Sequence, residues 1–324
     1  MEFEFMPKPL FLTGVDFWFC QFKVRCFVLL CVVLFTQSSV SQLQVSDEEP
    51  VICQKLKPPK NKPEQLVDWL LKNGHRLKHE GCWKSHISLG TRGMEEAAKQ
   101  SRFLDRARIA LNLSSSYFCL GDYDSCRKLA EEASHYAREH KDWKEYITSL
   151  YLLSGVSRAQ GRKEAVYYAE KGMEELQKHQ PDDHYLKAKI LYNLGGALSD
   201  LEEPDLDRAR AAMMESHSLY HGLKNQYEIV RSGLRLARID YLKGNYISAL
   251  AVIQSVEVHL ERPRSRMLYH YMMAKILHRM KKWGRARTEA LESLAWADRL
   301  KAKVDEERTR TLLDAIDNKT FVKD

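Results

Sequence analysis

The chain has 324 residues, 44% of them hydrophobic, 29% charged and 10% aromatic, with 15 glycines and 9 prolines, which excludes collagen-like, mucin-like and wholly disordered readings. Fifty-one Lys and Arg against 44 Asp and Glu leave a net charge of +7, a mild excess that suits an acidic partner and does not by itself indicate nucleic-acid binding. The length admits one or two globular domains or an array of repeats, in which each unit packs on its neighbours and no single large core is required.

Residues 1–45 form a hydrophobic N-terminal segment. Its uninterrupted apolar run, Cys26 to Phe35, is ten residues long, too short to span a bilayer as a helix. Lys23 and Arg25 precede the run, Ser39 and Ser41 follow at the spacing of a cleavage site, and Asp47, Glu48 and Glu49 come next, the order expected of a secretory signal or an N-in anchor. Glu2, Glu4 and Asp16 in the long leading region fit a cytosolic start better. Export or anchoring is the favoured expectation, a cytoplasmic protein the alternative, and any membrane attachment is expected through this segment only. Residues 46–62 read as a linker: in KLKPPKNKP (55–63) the prolines block helix entry and the lysines favour solvent, so folded structure is expected to begin near Pro63. The seven cysteines (20, 26, 31, 53, 82, 119 and 126) all precede residue 127, and free thiols rather than a disulfide framework are expected.

Beyond Pro63, apolar residues recur at i, i+3, i+4 and i+7 in segments separated by short turns, which predicts an all-α body. The turns repeat. G-D-Y-D-S-C (121–126), G-N-Y-I-S-A (244–249) and K-K-W-G-R-A (281–286) each place an aromatic three residues before a small residue. Taking Cys126, Ala165, Ala209, Ala249 and Ala286 as equivalent gives intervals of 39, 44, 40 and 37 residues. The turns at Gly161 and around Pro204 depart from the pattern by one residue fewer and two more.

This pattern resembles the tetratricopeptide repeat family in its long-helix variant, on Leu113, Tyr117, Gly121, Tyr123, Cys126, Ala130 and Ala133 in the first clear repeat, Leu236, Gly244, Tyr246 and Ala249 in the fourth, and Trp283, Ala286 and Ala290 in the fifth. The resemblance implies a right-handed superhelical solenoid of antiparallel helix pairs. Residues 63–101, with Trp83, His86, Gly90 and Gly93, read as a degenerate first repeat, 102–300 as five repeats, and 301–324 as a capping helix and tail.

None of the motifs G-x-x-x-x-G-K-[ST], G-x-G-x-x-G, H-E-x-x-H or G-x-S-x-G occurs, so an enzyme is not expected, and no cofactor is. His75, His79, Cys82 and His86 have spacing that could share zinc, but Gly81 interrupts their helix and no metal site is assigned. The resemblance places the first helix of each repeat on a concave groove and assigns inward positions to Lys189, Asn193, Arg231, Arg235, Arg238, Lys275 and Arg279, with Tyr151 and Tyr192 expected as aromatic walls for an extended or helical peptide. Spacing agrees: 189/193, 231/235/238 and 275/279 each share one helical face. Asn193, Arg231 and Arg235 resemble part of the family's carboxylate clamp, with Asn193 suited to a peptide backbone, although Tyr151 and Gly155 stand where that clamp uses Lys and Asn. The expected function is a non-enzymatic scaffold or adaptor binding an acidic or C-terminal segment of another protein. The alternative is a nucleic-acid-associated factor using Arg262 to Arg287, which holds nine basic residues and no acidic one.

Overall fold

In the computed structural model, which describes residues 49–58 and 62–321, the segments with helical spacing form helices and no strand occurs among the described residues. In chain order these are α1 (Ile52–Lys55), α2 (Leu66–His79), α3 (Trp83–Lys99), α4 (Phe103–Leu120), α5 (Tyr123–Glu139), α6 (Trp143–Ala159), α7 (Glu164–His179), α8 (His184–Ser199), α9 (Leu206–Gly222), α10 (Gln226–Leu242), α11 (Tyr246–Ser255), α12 (Pro263–Arg279), α13 (Trp283–Arg299) and α14 (Lys303–Asp317). The expectation for residues 1–45 lies outside the described residues. Among those described, no helix is long and apolar enough to cross a membrane.

From α2 onward the helices alternate as first and second members of packed pairs. First helices also pack on the next first helix, α2 on α4, α4 on α6, α6 on α8 and α10 on α12, whereas second helices are splayed further apart. That asymmetry curves the stack. The pairs wind into a right-handed superhelical solenoid of the tetratricopeptide type, with the first helices on its concave wall.

The pairs close where the sequence supplies small residues. Cys126, Ala165, Ala209, Ala249 and Ala286 are at most 2% exposed, and the Ser114 and Ser154 hydroxyls donate to the carbonyls of Cys126 and Ala165 at 3.1 and 2.8 Å. In α3 the same place is taken by His86. It fits because Gly74 faces it, where an added Cβ would stand 3.2 Å from His86 Nε2, and because Ser116 Oγ meets its Nδ1 at 2.9 Å. Burial, with Lys78 adding to it, lowers the His86 imidazole to about 4, so it is neutral at physiological pH.

Tight turns join most helices, and their left-handed position is filled by Gly81, Gly121, Gly161 and Gly244 but also by Ser101, Lys141, Lys224, Lys281 and Lys301. Asp122, Asp142, Asp183, Asp205 and Asn225 then accept the N–H three residues on, each cap contributing about 1 kcal/mol. The α8–α9 connection, lengthened around Pro204, has no left-handed residue among the described positive-φ set, and α8 ends on Asp200.

Two expectations are corrected at the N-terminal end. Cys53 and Cys82 form a disulfide and are not free thiols. Their pairing follows from tertiary placement: Gly81 reverses the chain and puts Cys82 at the start of α3, while α1 presents Cys53 to it, both cysteines buried with Leu77 among Ile52, Leu56, Trp69 and Leu89. Glu49 completes the attachment, accepting from the Ser85 N–H at 2.9 Å and from the Ser85 hydroxyl. Packed structure therefore begins before Pro63, inside the segment expected to be linker. Cys119 and Cys126 remain thiols. At the other end α14 buries Leu312, Leu313 and Ile316 in the core formed with α10 to α13, leaving its polar face outside.

Candidate functional site

Four first helices carry the expected residues: Tyr151 on α6, Lys189, Tyr192 and Asn193 on α8, Arg231, Arg235 and Arg238 on α10, and Lys275 and Arg279 on α12. They fall into neighbourhoods with different electrostatics.

The first is built on Asp200. Arg158 Nη1 and Arg235 Nη1 donate to its Oδ2 at 3.1 and 3.2 Å, and Arg238 Nη1 donates to its Oδ1 at 2.8 Å. Burial alone would raise the Asp200 carboxyl, but Arg235, Arg238 and Arg158 hold it at about 2. Tyr192 feels the same field: burial would raise its phenol, yet Arg231, Arg235 and Arg158 bring it down to about 8. The arginines expected to take a ligand's carboxylate thus already hold one of the protein's own. Neither Asp200 nor Arg158 was among the expected site residues; the lengthened turn that turns Asp200 inward is visible in the sequence only as two extra residues.

Asn193 also departs from expectation. It is 5% exposed and donates from Nδ2 to the Tyr151 carbonyl at 2.9 Å, while Gly155 lies so close that a Cβ there would come within 3.2 Å of that nitrogen. It joins α8 to α6 instead of facing a peptide backbone.

The second neighbourhood alternates cations with tyrosine rings. Lys189 Nζ stands 4.2 Å from the Tyr151 ring centroid and 5.3 Å from that of Tyr185. The Arg231 guanidinium stands 4.7 Å from Tyr192 and 5.5 Å from Tyr227, and Arg262 covers Tyr227 at 3.8 Å. Arg231 is paired with Glu228 at 2.8 Å, whereas Lys189, Arg262 and Lys78 have no carboxylate partner among the described residues. Burial, then Arg231, lowers Lys189 against the opposing pull of Glu228; burial, then Lys189, lowers Lys78. Burial, then Lys78 and Arg262, lowers His79 in the same way, against the opposing pull of Glu80. Cations without a bonded carboxylate mark a place where an added anion would be stabilised. The sequence signal for two of these contacts was a tyrosine four residues before a cation on successive first helices, Tyr185/Lys189 and Tyr227/Arg231.

The third lies at the C-terminal end. Lys275 Nζ is 4.6 Å from the Tyr241 ring, and Arg279 Nε donates to the Tyr241 hydroxyl at 3.0 Å. Within the acid-free stretch from Arg262 to Arg287, two arginines find acids on α14, Arg264 facing Asp305 at 3.6 Å and Arg287 pairing with Asp317 at 2.9 Å, while Arg266, Lys281, Lys282 and Arg285 are exposed. The histidine set near residue 80 is dismantled as well, since Cys82 is in the disulfide and His86 is turned to Ser116.

No family model matches the sequence, and no curated protein does. Solved structures match the fold. A Rap protein complexed with Competence and Sporulation Factor superposes with a TM-score of 0.58 at 12% identity, covering 82% of this chain and 78% of that one. The apo form of RapI gives 0.54 at 12% identity, covering 78% and 98%, and aspartyl phosphate phosphatase F from Bacillus subtilis 0.53 at 10%, covering 81% and 74%. At these identities the likeness is one of fold.

Proposed function

We propose that the protein is a non-enzymatic adaptor whose concave groove holds an acidic segment of another protein. The observation that carries this reading is that Lys189 and Arg262, each set against tyrosine rings, have no carboxylate partner among the described residues, on a wall whose neighbouring arginines are already occupied by Asp200. An extended acidic chain would give the ammonium and guanidinium groups charge-assisted hydrogen bonds and lay its apolar parts on Tyr151, Tyr185 and Tyr227. The fold supports the reading in a general way: one similar structure, the Rap protein, is complexed with Competence and Sporulation Factor. The phosphatase name of another belongs to that protein, and the present sequence has none of the four motifs sought for catalysis.

Fluorescence anisotropy with a panel of acidic peptides, bearing free or amidated C-termini, tests the proposal. Acidic peptides should bind, more weakly as salt rises, and Lys189→Glu should abolish binding while leaving the helical circular dichroism intact. Binding of a single-stranded oligonucleotide with a steep salt dependence, and of no acidic peptide, would favour the nucleic-acid reading instead.

A further inference from the structure

The last turns of α9 carry His217 and His221, four residues apart on one face, with their Nε2 atoms 3.2 Å apart. The protons around them can be assigned. The Ser232 hydroxyl has one proton and donates it to the Glu228 carbonyl at 2.7 Å. Its 2.8 Å contact with His217 Nδ1 must then be an Nδ1–H donating to Ser232 Oγ. With Nδ1 as donor, His217 Nε2 carries a lone pair and accepts the hydrogen bond from His221 Nε2–H, a proton that a metal ion bound between the two nitrogens would displace. A hydroxyl or carbonyl holding the far nitrogen of an imidazole is the arrangement that orients histidine ligands on metals. A third imidazole, His259, lies in the short helical turn Glu257–His259, its ring centroid 6.0 Å from that of His221.

We propose that His217 and His221 chelate a divalent transition metal of the zinc class, with His259 swinging in as a third ligand. Nitrogens bound at about 2.0–2.1 Å around a tetrahedral ion stand about 3.3–3.4 Å apart, close to the separation already present. Among the described residues no three such side chains yet surround a common point, so the chelate starts from two histidines and leaves positions for water and for His259. The groups acting on His217 are burial, His221, the Ile229 carbonyl and His259; no ammonium or guanidinium is among them.

A second histidine pair in the same chain shows what is special about the first. His75 and His79 have Nε2 atoms 3.0 Å apart, but no hydroxyl orients either ring, and Lys78 and Lys189 act on both, with Arg262 also acting on His79. Cations there oppose a metal ion. At the first pair a bound ion would tie α9 to the segment after α11, which with ten residues is the shortest second helix and ends at Ser255.

The test is a zinc(II) titration of the full chain by competition with a chromophoric chelator, circular dichroism being recorded on every variant. Wild type should take up zinc, His221→Ala should bind at least about 10-fold more weakly, and Ser232→Ala, which removes only the orienting hydroxyl, should lose about 10-fold. His259→Ala should weaken binding less than His221→Ala, and His75→Ala should change nothing. The proposal is overturned if wild type takes no zinc at micromolar concentration, if His221→Ala retains wild-type affinity, or if the loss follows His75→Ala.

Discussion

Arg238 on Asp200 and Lys189 on Tyr151 sit on the same concave wall, and the two cations are in opposite states. The first is satisfied: three guanidiniums share one carboxylate that the chain supplies from its own turn. The second rests on an aromatic face, and no carboxylate is bonded to it among the described residues, although Glu228 and Asp183 act on it from further off. A basic stripe is therefore not a uniform receptor. Part of it is internal structure, and only the part without an acid is open to a partner.

The largest effect should come from emptying the satisfied end. Asp200→Leu leaves three half-buried guanidiniums without their carboxylate and should lower the unfolding free energy by about 3 kcal/mol, read by urea denaturation. If stability is unchanged, the two regions are not different in kind. The same carboxylate gives a pH signature. Its pKa is about 2 in the folded chain and about 3.9 in the unfolded one, so its contribution is complete above pH ~4 and is lost as pH falls toward 2. Unfolding measured through that range should show the loss in wild type and not in Asp200→Leu.

A smaller effect joins the two regions through Tyr192, which lies between Arg231 and the Asp200 cluster. Ultraviolet titration should reveal a tyrosine ionising near pH 8, and Arg231→Met, removing the largest of the charges that lower it, should move it upward. A phenol already at the ordinary value in wild type would mean the guanidiniums do not surround it. Smallest of all should be the effect of Arg238→Met on an acidic ligand, within about 2-fold, because that arginine is engaged by Asp200 and not by the partner.

The fold was open to sequence reading because helix pairing rests on residue size. Cys126, Ala165, Ala209, Ala249 and Ala286 recur where helices cross, and burial at those places is a local requirement. The turns were harder, since Lys141, Lys224 and Lys281 take the left-handed position that glycine advertises elsewhere. The site was half visible. Charge and phase placed Lys189, Arg231 and Arg235 on one wall, but partners come from other helices: Asp200 from a lengthened turn, Asp305 and Asp317 from the cap. Asn193 had the chemistry for a peptide backbone and was drawn inward by the gap at Gly155. The Cys53–Cys82 pairing depended on a reversal at Gly81 that cysteine spacing does not encode.

The most direct test of this account is one titration of an acidic peptide against three proteins, wild type, Lys189→Met and Arg238→Met, each shown to be folded. Lys189→Met should bind on the order of 10-fold more weakly or worse, while Arg238→Met stays near wild type. The reverse order, with Arg238 decisive and Lys189 dispensable, would mean that a ligand displaces Asp200 from its arginines, and the division of the groove into occupied and open halves would be wrong.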